Sequence, residues 1–466
     1  ANKVWGYVPD RGERIVAPTI PSEVITPNNP PTGWGILGDI YSRGWKRTNN
    51  TNNFLSFFAT FAYSFKNRYV VNANVRNDAS NVFGQDINHR IDPTYSFGLS
   101  WRASEEAFFQ KHLKWITTLN FRGTFGIQGN ALTRESPELI LSQQGVQPGY
   151  NRYFSTIDQI PNPYLSWERT RNWNFGVDLE LFRMFYMNLE YYTRRSNAVI
   201  TVDLPFEYGI DDMKRNGGII YNRGIEYTLS FTPIQKRDFS LNINLNASKN
   251  WNKGGETKID RNTAMYLRGG STQILKEGYP LSAFWSYSFA GLDGSNGKPM
   301  FNYVEVPDEE KSKSIDPTTY LVYSGETEPY FTGGLGFSFR YKSLSLNTSF
   351  SLLLGSKKRL PSPYSDFQGS GSMMPDPTKN VNRDLLNRWQ KPGDEAYTNI
   401  PGLPTWPIEI GWTLPNTDSA ESSIKMWEQS DAMVVSGSFL RCRNIGLSWQ
   451  MKKEWCDKIH AKNLAI

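Results

Sequence analysis

Hydrophobic and polar residues alternate with a period of two along much of this chain, which predicts β-strands with one apolar and one polar face. In the segment 239–248, Phe239, Leu241, Ile243 and Leu245 alternate with serine and asparagine. The strands predicted in this way are 54–65, 68–76, 94–102, 115–128, 172–181, 186–195, 222–231, 239–248, 271–276, 281–289, 332–342, 344–354 and 438–449, with a last one begun at 461–466.

The lengths of these strands and of their connections favour a membrane barrel. Many strands run to about 10 to 14 residues, whereas soluble strands have about 5 or 6 and a tilted membrane strand needs about 9 to 11. Short connections such as 66–67 and 183–185 contrast with long ones such as 129–171 and 355–437. Aromatic residues flank the short turns, as in the girdles at a membrane surface. Short periplasmic turns and long outer loops are the barrel arrangement.

We therefore predict an all-β fold, a transmembrane antiparallel β-barrel, over the alternative of a soluble β-sandwich. A closed sheet satisfies every backbone group within lipid, and in a large barrel the polar face lines a wet lumen. In a sandwich the same face would meet bulk water. The residues that we predict to face the lumen are Asn72, Asn74, Arg76, Asn120, Arg122, Asn174, Glu226 and Asn244.

Composition narrows the function further. The net charge is +6, but the lysines and arginines are scattered without a basic stripe, which argues against nucleic-acid binding. No stretch approaches the roughly 18 consecutive apolar residues of a membrane-spanning helix. The two cysteines, Cys442 and Cys456, are too few for a disulfide framework or a metal knuckle.

Several short motifs occur in a fixed order along the chain. The segment 76–84 reads Arg-Asn-Asp-Ala-Ser-Asn-Val-Phe-Gly, and 100–108 reads Ser-Trp-Arg-Ala-Ser-Glu-Glu-Ala-Phe. Further motifs lie at 123–130, 165–170, 216–226, 388–394 and 438–445. This ordered set resembles the SusC/RagA family of TonB-dependent importers, although Ala79, Asn81, Ser100 and Thr124 depart from the family's pattern.

The resemblance implies a 22-stranded barrel with an N-terminal plug, a TonB contact in the periplasm and a SusD-like lipoprotein lid outside. We expect about 14 strands in this chain, starting on an even-numbered one, and both chain ends look cut. The plug and the TonB-contacting segment are expected to lie elsewhere. We assign 1–53 to an outer loop segment and 54–466 to the barrel.

The function that follows from the resemblance is active import of an oligosaccharide or a peptide through the outer membrane. A receptor for a siderophore or a cobalamin-type ligand is an alternative, as is an outer-membrane enzyme or adhesin. No histidine sits on the predicted lumen face near a paired serine and aspartate in the sequence, so we predict no catalytic residue, and we predict no cofactor or metal. The segment 293–297 could bind calcium, but a simple turn is the favoured interpretation.

The loop 355–437 is far longer than a barrel requires, and loops beyond about 15 residues are usually functional or disordered. Its tryptophans could stack on sugar rings, contact the lid or pack the loop's own core. We favour packing over stacking, because aromatic side chains supply most of the buried area in irregular segments. They are Trp389, Trp406, Trp412 and Trp427. We expect this loop to be ordered and to support the lipoprotein together with 129–171 and 290–331.

Overall fold

A computed structural model gives the architecture of most of the chain. It describes residues 2–7, 47–80, 91–130, 139–147, 152–204, 206–210, 212–256, 264–269, 275–302, 317–364, 380–403, 423–451 and 453–458. Strands dominate these residues, in agreement with the predicted all-β class. Among them, no helix has the length and apolar character that crossing a membrane would require.

The strands, in chain order, are β1 (Asn2–Tyr7), β2 (Arg47–Asn52), β3 (Phe54–Phe65), β4 (Tyr69–Ser80), β5 (Ile91–Arg102), β6 (Ile116–Asn130), β7 (Ile140–Gln147), β8 (Arg152–Gln159), β9 (Glu168–Leu181), β10 (Phe185–Asp203), β11 (Asp212–Gln235), β12 (Phe239–Gly254), β13 (Ala283–Tyr287), β14 (Phe289–Leu292), β15 (Pro299–Phe301), β16 (Leu321–Glu326), β17 (Phe331–Tyr341), β18 (Leu344–Leu354), β19 (Lys357–Arg359), β20 (Val434–Ser436) and β21 (Phe439–Trp449). The helices are short: α1 (Ala107–His112), α2 (Ala264–Leu267), α3 (Ser423–Glu428) and α4 (Lys453–Lys458). Single 3-10 turns cover Ala103–Glu105, Phe206–Tyr208, Pro317–Thr319, Arg383–Asn387, Asp394–Ala396 and Asp431–Met433.

Eleven strands form one antiparallel sheet in the order β21-β18-β17-β12-β11-β10-β9-β6-β5-β4-β3. The longest, β11 with 24 residues and β10 with 19, exceed what a lipid crossing needs and extend beyond it. Within the described residues, β3 and β21 each have a single neighbour in this sheet. The sheet therefore has two open edges here.

The register keeps one apolar and one polar face across all eleven strands. Ile243 lies opposite Phe231 on one side and Phe337 on the other. Its neighbour Asn244 lies opposite Ser230 and Gly336. Because directly opposed residues point to the same face, the predicted alternation holds from strand to strand. Large apolar side chains stand exposed on the apolar face, with Phe57 66% accessible.

Tight turns join alternate strand pairs at one end of the strands, which we call the turn side. Lys66 and Asn67 have positive φ values of 49° and 58°, and Phe182 and Arg183 have 53° and 58°. Two consecutive residues with positive φ match a hairpin turn whose twist suits the sheet. The long connections lie at the opposite end of the strands, which we call the loop side.

Glu106 ties two connections together on the turn side. Its carboxylate accepts hydrogen bonds from Arg68 Nη1 at 3.0 Å, Tyr69 Oη at 2.6 Å and Trp101 Nε1 at 3.3 Å. The hydrogen bond from Tyr69 is the main cause that holds the pKa of Glu106 below its usual range. The motif at 100–108 therefore fixes the aromatic rings of Tyr69 and Trp101 beside the 66–68 turn.

We predict that Glu106→Gln lowers barrel stability at neutral pH, because the amide keeps an acceptor but loses the charge that Arg68 pairs with. Since folding lowers the pKa of Glu106, this stabilisation is fully present above the ordinary value of 4.5 and disappears as the pH falls through the lowered value. Urea unfolding of the wild type and the variant at several pH values measures it. The exposed neighbour Glu105→Gln is the control, and a variant difference that persists in acid would contradict the prediction.

One predicted barrel strand is wrong. The segment 281–289 was expected to cross the membrane, but β13 pairs with β16 outside the large sheet. All five residues of β13 are buried, so the strand packs on both faces. The companion segment 271–276 lies largely outside the described residues, and its described part, 275–276, is not a strand. The strand begun at 461–466 also lies outside them.

The described parts of the long connections 249–330 and 355–437 pack into one body, which we call the loop-side unit. Its two apolar clusters draw residues from both connections. The first contains Leu267, Ala283, Trp285, Tyr287, Leu321 and Met426. The second contains Tyr364, Leu385, Ile424, Trp427 and Met433, with the partly buried Phe289 and Phe301 of the other connection packed against it. The backbone of Tyr287 bonds to Gln429, and the amide of Phe289 donates to Asp431. The described parts of 355–437 are thus ordered, as expected.

Arg359 connects the two halves of the loop-side unit. Its guanidinium donates to the carbonyl of Arg268, to the carbonyl of Trp285 and to Ser286 Oγ, at 2.5, 2.5 and 3.1 Å. It also lies over the Phe284 ring, 4.9 Å from the centroid. Burial, with a smaller effect of the Arg268 charge, lowers the pKa of Arg359 to about 10. The side chain remains cationic at neutral pH and serves as a structural donor.

Candidate functional site

The polar face of the eleven-stranded sheet is the candidate site. The register places all eight predicted residues on this face, from Asn72, Asn74 and Arg76 on β4 to Asn244 on β12. They do not converge on one point, because they belong to different strands and levels. The structure instead makes them parts of an extended polar wall.

A charged network occupies the middle of this wall. Arg122 Nη2 lies 3.0 Å from Glu190 Oε1 and 3.2 Å from Asp178 Oδ1. Asn174 donates to the other oxygen of Glu190 at 3.3 Å, and Asn188 donates to Asp178 at 2.7 Å. Gly176 lies directly under the guanidinium, since a Cβ there would stand 3.1 Å from Arg122 Nη2. Arg122 is therefore held in place by groups on two neighbouring strands.

Glu226 lies beside this network, directly opposite Glu190 in the register. Like charges in directly opposed positions repel, and the Arg122 ion pair offsets this for Glu190. Glu226 lines a separate concavity of about 600 Å³, together with Ser248, Thr332 and Arg443. The predicted Asn120 lies opposite Asp178, one step closer to the turn side.

A second concavity of about 730 Å³ lies on the loop-side half of the wall. Its lining combines the predicted Asn74 and Arg76 with Asp78, Asn172 and Trp167. Arg76 Nε contacts both oxygens of Asp78, at 2.7 and 2.8 Å. Trp167 was not among the predicted site residues, although it lies in the motif at 165–170 that was read from the sequence.

Two of the four loop tryptophans, Trp389 and Trp427, lie among the described residues. Trp427 is 1% exposed in the core of the loop-side unit, so it cannot stack on a ligand there, and the packing interpretation is right for it. Trp389 donates from Nε1 to Glu395 at 3.0 Å and covers Gly297, where any Cβ would overlap the ring. Trp406 and Trp412 lie outside the described residues.

Residues of the other motifs hold the loop-side ends of the strands together. Glu168 accepts from Asn130 Nδ2 at 3.0 Å and from the Val199 amide at 2.9 Å. Asn216 pairs with both backbone groups of Ser166, at 2.8 Å each. These contacts join motifs that are far apart in sequence, which is why sequence reasoning did not find them.

The structure gives the 293–297 segment the form of a turn. Asp293 accepts from the Ser295 amide, the Ser295 hydroxyl and Asn296 Nδ2, at 2.7 to 2.8 Å. The backbone hydrogen bond from Ser295 is the first cause of the lowered pKa of Asp293. Over the described ranges, no cluster of three or more histidine, cysteine, aspartate or glutamate side chains could hold a metal ion.

Comparisons with known proteins agree with this architecture. The family described as "TonB dependent receptor-like, beta-barrel" matches residues 19–355. TonB-dependent receptor SusC of Bacteroides thetaiotaomicron is 26% identical over 87% of this chain and 38% of its own length. TonB-dependent receptor P3 of Formosa agariphila is 24% identical over 88% of this chain and 40% of its own length. The chain thus spans about 40% of these relatives.

Among solved structures, that of the RagAB peptide transporter superimposes with a TM-score of 0.66 at 24% identity, covering 88% of this chain and 42% of the other. That likeness confirms the fold, and it makes the eleven-stranded sheet a portion of a large antiparallel barrel. Receptors of this kind are outer-membrane proteins and not enzymes. The chain belongs to the family of TonB-dependent receptor β-barrels.

Proposed function

We propose that this chain forms the barrel wall of a TonB-dependent importer that carries a nutrient, an oligosaccharide or a peptide, across the outer membrane. The observation that carries this proposal is the continuous polar face, which eleven strands maintain opposite an equally continuous apolar one. Lipid requires an apolar exterior, and a hydrophilic cargo requires a polar interior. Family membership supports the coupling to TonB.

In this proposal the polar face lines the lumen, and Asn72, Asn74, Arg76, Arg122 and Glu226 face the cargo or the plug. The plug and the TonB contact come from the resemblance to the SusC/RagA family. The segment 1–53 is an outer loop segment that leads into the barrel of 54–466. The printed name of the RagAB peptide transporter describes that protein's cargo, and it keeps a peptide among the candidates.

The test compares nutrient depletion by wild-type cells, by cells lacking the gene for this protein and by cells lacking TonB. Each culture grows in a mixture of oligosaccharides and peptides, and mass spectrometry follows every oligomer in the medium. We expect a defined set of oligomers to be depleted by the wild type only. Depletion that is unchanged without the gene or without TonB would contradict the proposal.

We also propose that the loop-side unit supports a SusD-like surface lipoprotein. The described parts of 355–437 pack against those of 249–330, and surfaces that packing holds in place bind with less loss of entropy. The same connection exposes large apolar side chains, with Leu386 68% and Tyr397 92% accessible. Aromatic and apolar anchors of this kind dominate the free energy of protein interfaces.

We predict that the double substitution Leu386→Ser and Tyr397→Ser lowers recovery of the lipoprotein with the barrel by at least about tenfold, because two apolar anchors are lost. Co-purification from detergent-solubilised outer membranes measures this. Tyr208→Ser is the control, since Tyr208 is 59% exposed in another connection. Undiminished recovery of the lipoprotein with the double variant would contradict the proposal. Deleting the whole segment 362–430 would test the interface less well than these two substitutions, because the deletion also removes Trp427 and much of the apolar core.

A further inference from the structure

Basic residues occupy the turn side of the large sheet. Between β3 and β18, every connection on this side carries at least one exposed lysine or arginine. Among the described residues, no carboxylate lies within 4.0 Å of these cations. They form a row of unpaired positive charges along the strand ends, which we call the basic belt. Its members are Lys66, Lys111, Lys114, Arg183, Arg237 and Lys342.

The backbone of three turns makes these side chains unexpected. Lys66, Arg183 and Lys342 have φ values of 49°, 58° and 52°. Turn positions with positive φ favour glycine, asparagine or aspartate, because a larger side chain crowds the backbone there. A residue that occupies such a position against the local preference indicates a role for its side chain.

Two of these cations lie toward the apolar face of the sheet. Lys66 Nζ lies 5.2 Å from the centroid of the Phe65 ring, and Lys342 Nζ lies 5.4 Å from that of Tyr341. Both rings stand exposed on the apolar face. An ammonium group above such a ring lies at the boundary of the lipid, with its aliphatic stem along apolar surface. These two charges are therefore directed away from the polar wall.

The connection between β5 and β6 places a short helix at the same boundary. Glu106, directly before α1, accepts hydrogen bonds from Tyr69 and Trp101, whose opposed rings lie on the apolar face. The helix thus begins on the lipid-facing side of the sheet. Phe108 and Lys111 of α1 are both exposed and lie three residues apart, on one side of the helix.

A stacked aromatic pair continues this boundary at the next turn. The rings of Trp115 and Phe182 are both exposed, and their centroids lie 5.7 Å apart. Each ring is directly adjacent in sequence to a cation of the belt, Lys114 or Arg183. Alternating rings and cations are typical of the headgroup level of a membrane, where rings contact acyl chains and cations contact phosphates.

We propose that the basic belt binds the phosphate groups of anionic phospholipids in the periplasmic leaflet of the outer membrane. Short turns of such barrels face the periplasm, so this leaflet is the one next to the belt. The belt continues the apolar, lipid-facing surface of the sheet, and its unpaired cations complement an anionic headgroup. This inference concerns the membrane surface and is independent of the imported cargo.

The experiment uses the full-length transporter purified from outer membranes in detergent. One probe is phosphatidylglycerol, which is anionic, and the other is phosphatidylethanolamine, which carries no net charge. Each lipid is titrated alone, and native mass spectrometry follows its binding. The test variant combines Lys66→Gln, Arg183→Gln and Lys342→Gln.

A matched control removes the same charge from the other end of the strands. It combines Arg215→Gln, Lys253→Gln and Lys358→Gln, which change exposed cations on the loop side. A charge-preserving variant, Lys66→Arg with Lys342→Arg, separates the effect of charge from that of the lysine side chain. Heat-modifiable migration reports whether each variant has assembled.

We expect phosphatidylglycerol to bind the wild type more tightly than phosphatidylethanolamine, with affinity reduced about tenfold or more in the test variant. The control and the charge-preserving variant should bind like the wild type, and added salt should weaken binding. If the test variant does not assemble, the single change Lys342→Gln is expected to weaken binding about threefold. Equal binding of the two lipids, or an equal loss in the loop-side control, would overturn the inference.

The lipids that stay bound during purification distinguish the two leaflets. Lipopolysaccharide also carries phosphate, but it forms the outer leaflet, next to the loop side. Mass spectrometry of the purified proteins should find anionic phospholipid on the wild type and the control, and much less on the test variant. Lipopolysaccharide should be retained equally by all three. Loss of lipopolysaccharide instead of phospholipid from the test variant would overturn the assignment to the periplasmic leaflet.

Discussion

Ile243→Arg is expected to cut the amount of assembled barrel sharply, whereas Asn244→Arg is expected to leave it nearly unchanged. The two residues are neighbours on β12 but lie on opposite faces, with Ile243 between Phe231 and Phe337. An arginine on the lipid face near the middle of the bilayer costs about 2 to 4 kcal/mol. An arginine on the polar face remains hydrated and avoids this cost.

The pair forms its own matched control, because the same residue type enters adjacent positions of one strand. Heat-modifiable migration of outer-membrane extracts gives the assembled fraction, and urea unfolding in lipid gives the free energy. If Asn244→Arg damaged assembly more than Ile243→Arg, the assignment of the two faces would be wrong.

Trp427→Ala is expected to unfold the loop-side unit while leaving the barrel assembled. Trp427 is 1% exposed and lies edge-on to Tyr364 with ring centroids 6.0 Å apart. Truncating a fully buried tryptophan costs about 3 to 5 kcal/mol, because the cavity that remains is only partly filled. Both connections contribute to this core, so cleavage should appear in 249–330 as well as in 355–437.

Limited proteolysis of intact cells, followed by mapping of the fragments, measures this effect. Tyr208→Ala is the control, because Tyr208 is 59% exposed and its removal leaves no cavity. Resistance of the Trp427→Ala variant equal to that of the wild type would show that the two connections do not share a core.

The alternation of residues was sufficient to predict most of the large sheet. On β9 and β12 the apolar positions fall on one face as expected, because lipid and water select opposite side chains at successive residues. Alternation does not report what covers a face. The segment 281–289 alternates like a barrel strand, but Ala283–Tyr287 is buried on both faces by the loop-side unit. Only its partner, Leu321–Glu326, distinguishes the two situations.

The candidate site was predicted in part. The faces of Arg122 and Glu226 followed from strand periodicity, but their partners did not, since Arg122 pairs with residues 56 and 68 positions away. Trp167 belonged to a recognised motif, yet its place on the polar face depends on Asn216, 50 residues from Ser166. Such contacts depend on which strands become neighbours. A single sequence does not directly show the order of the strands in the sheet.

The claim that the polar face lines the import path can be tested with single cysteines. Asn244→Cys and Ile243→Cys are each made in a background where Cys442 and Cys456 are replaced by serine. Cells with either variant are treated with a bulky, charged maleimide. TonB-dependent uptake of the nutrient that wild-type cells deplete is then measured. The account predicts that the reagent modifies Asn244→Cys and blocks uptake, while Ile243→Cys stays unmodified and active. Modification and block at Ile243→Cys, with unimpaired uptake through modified Asn244→Cys, would contradict it.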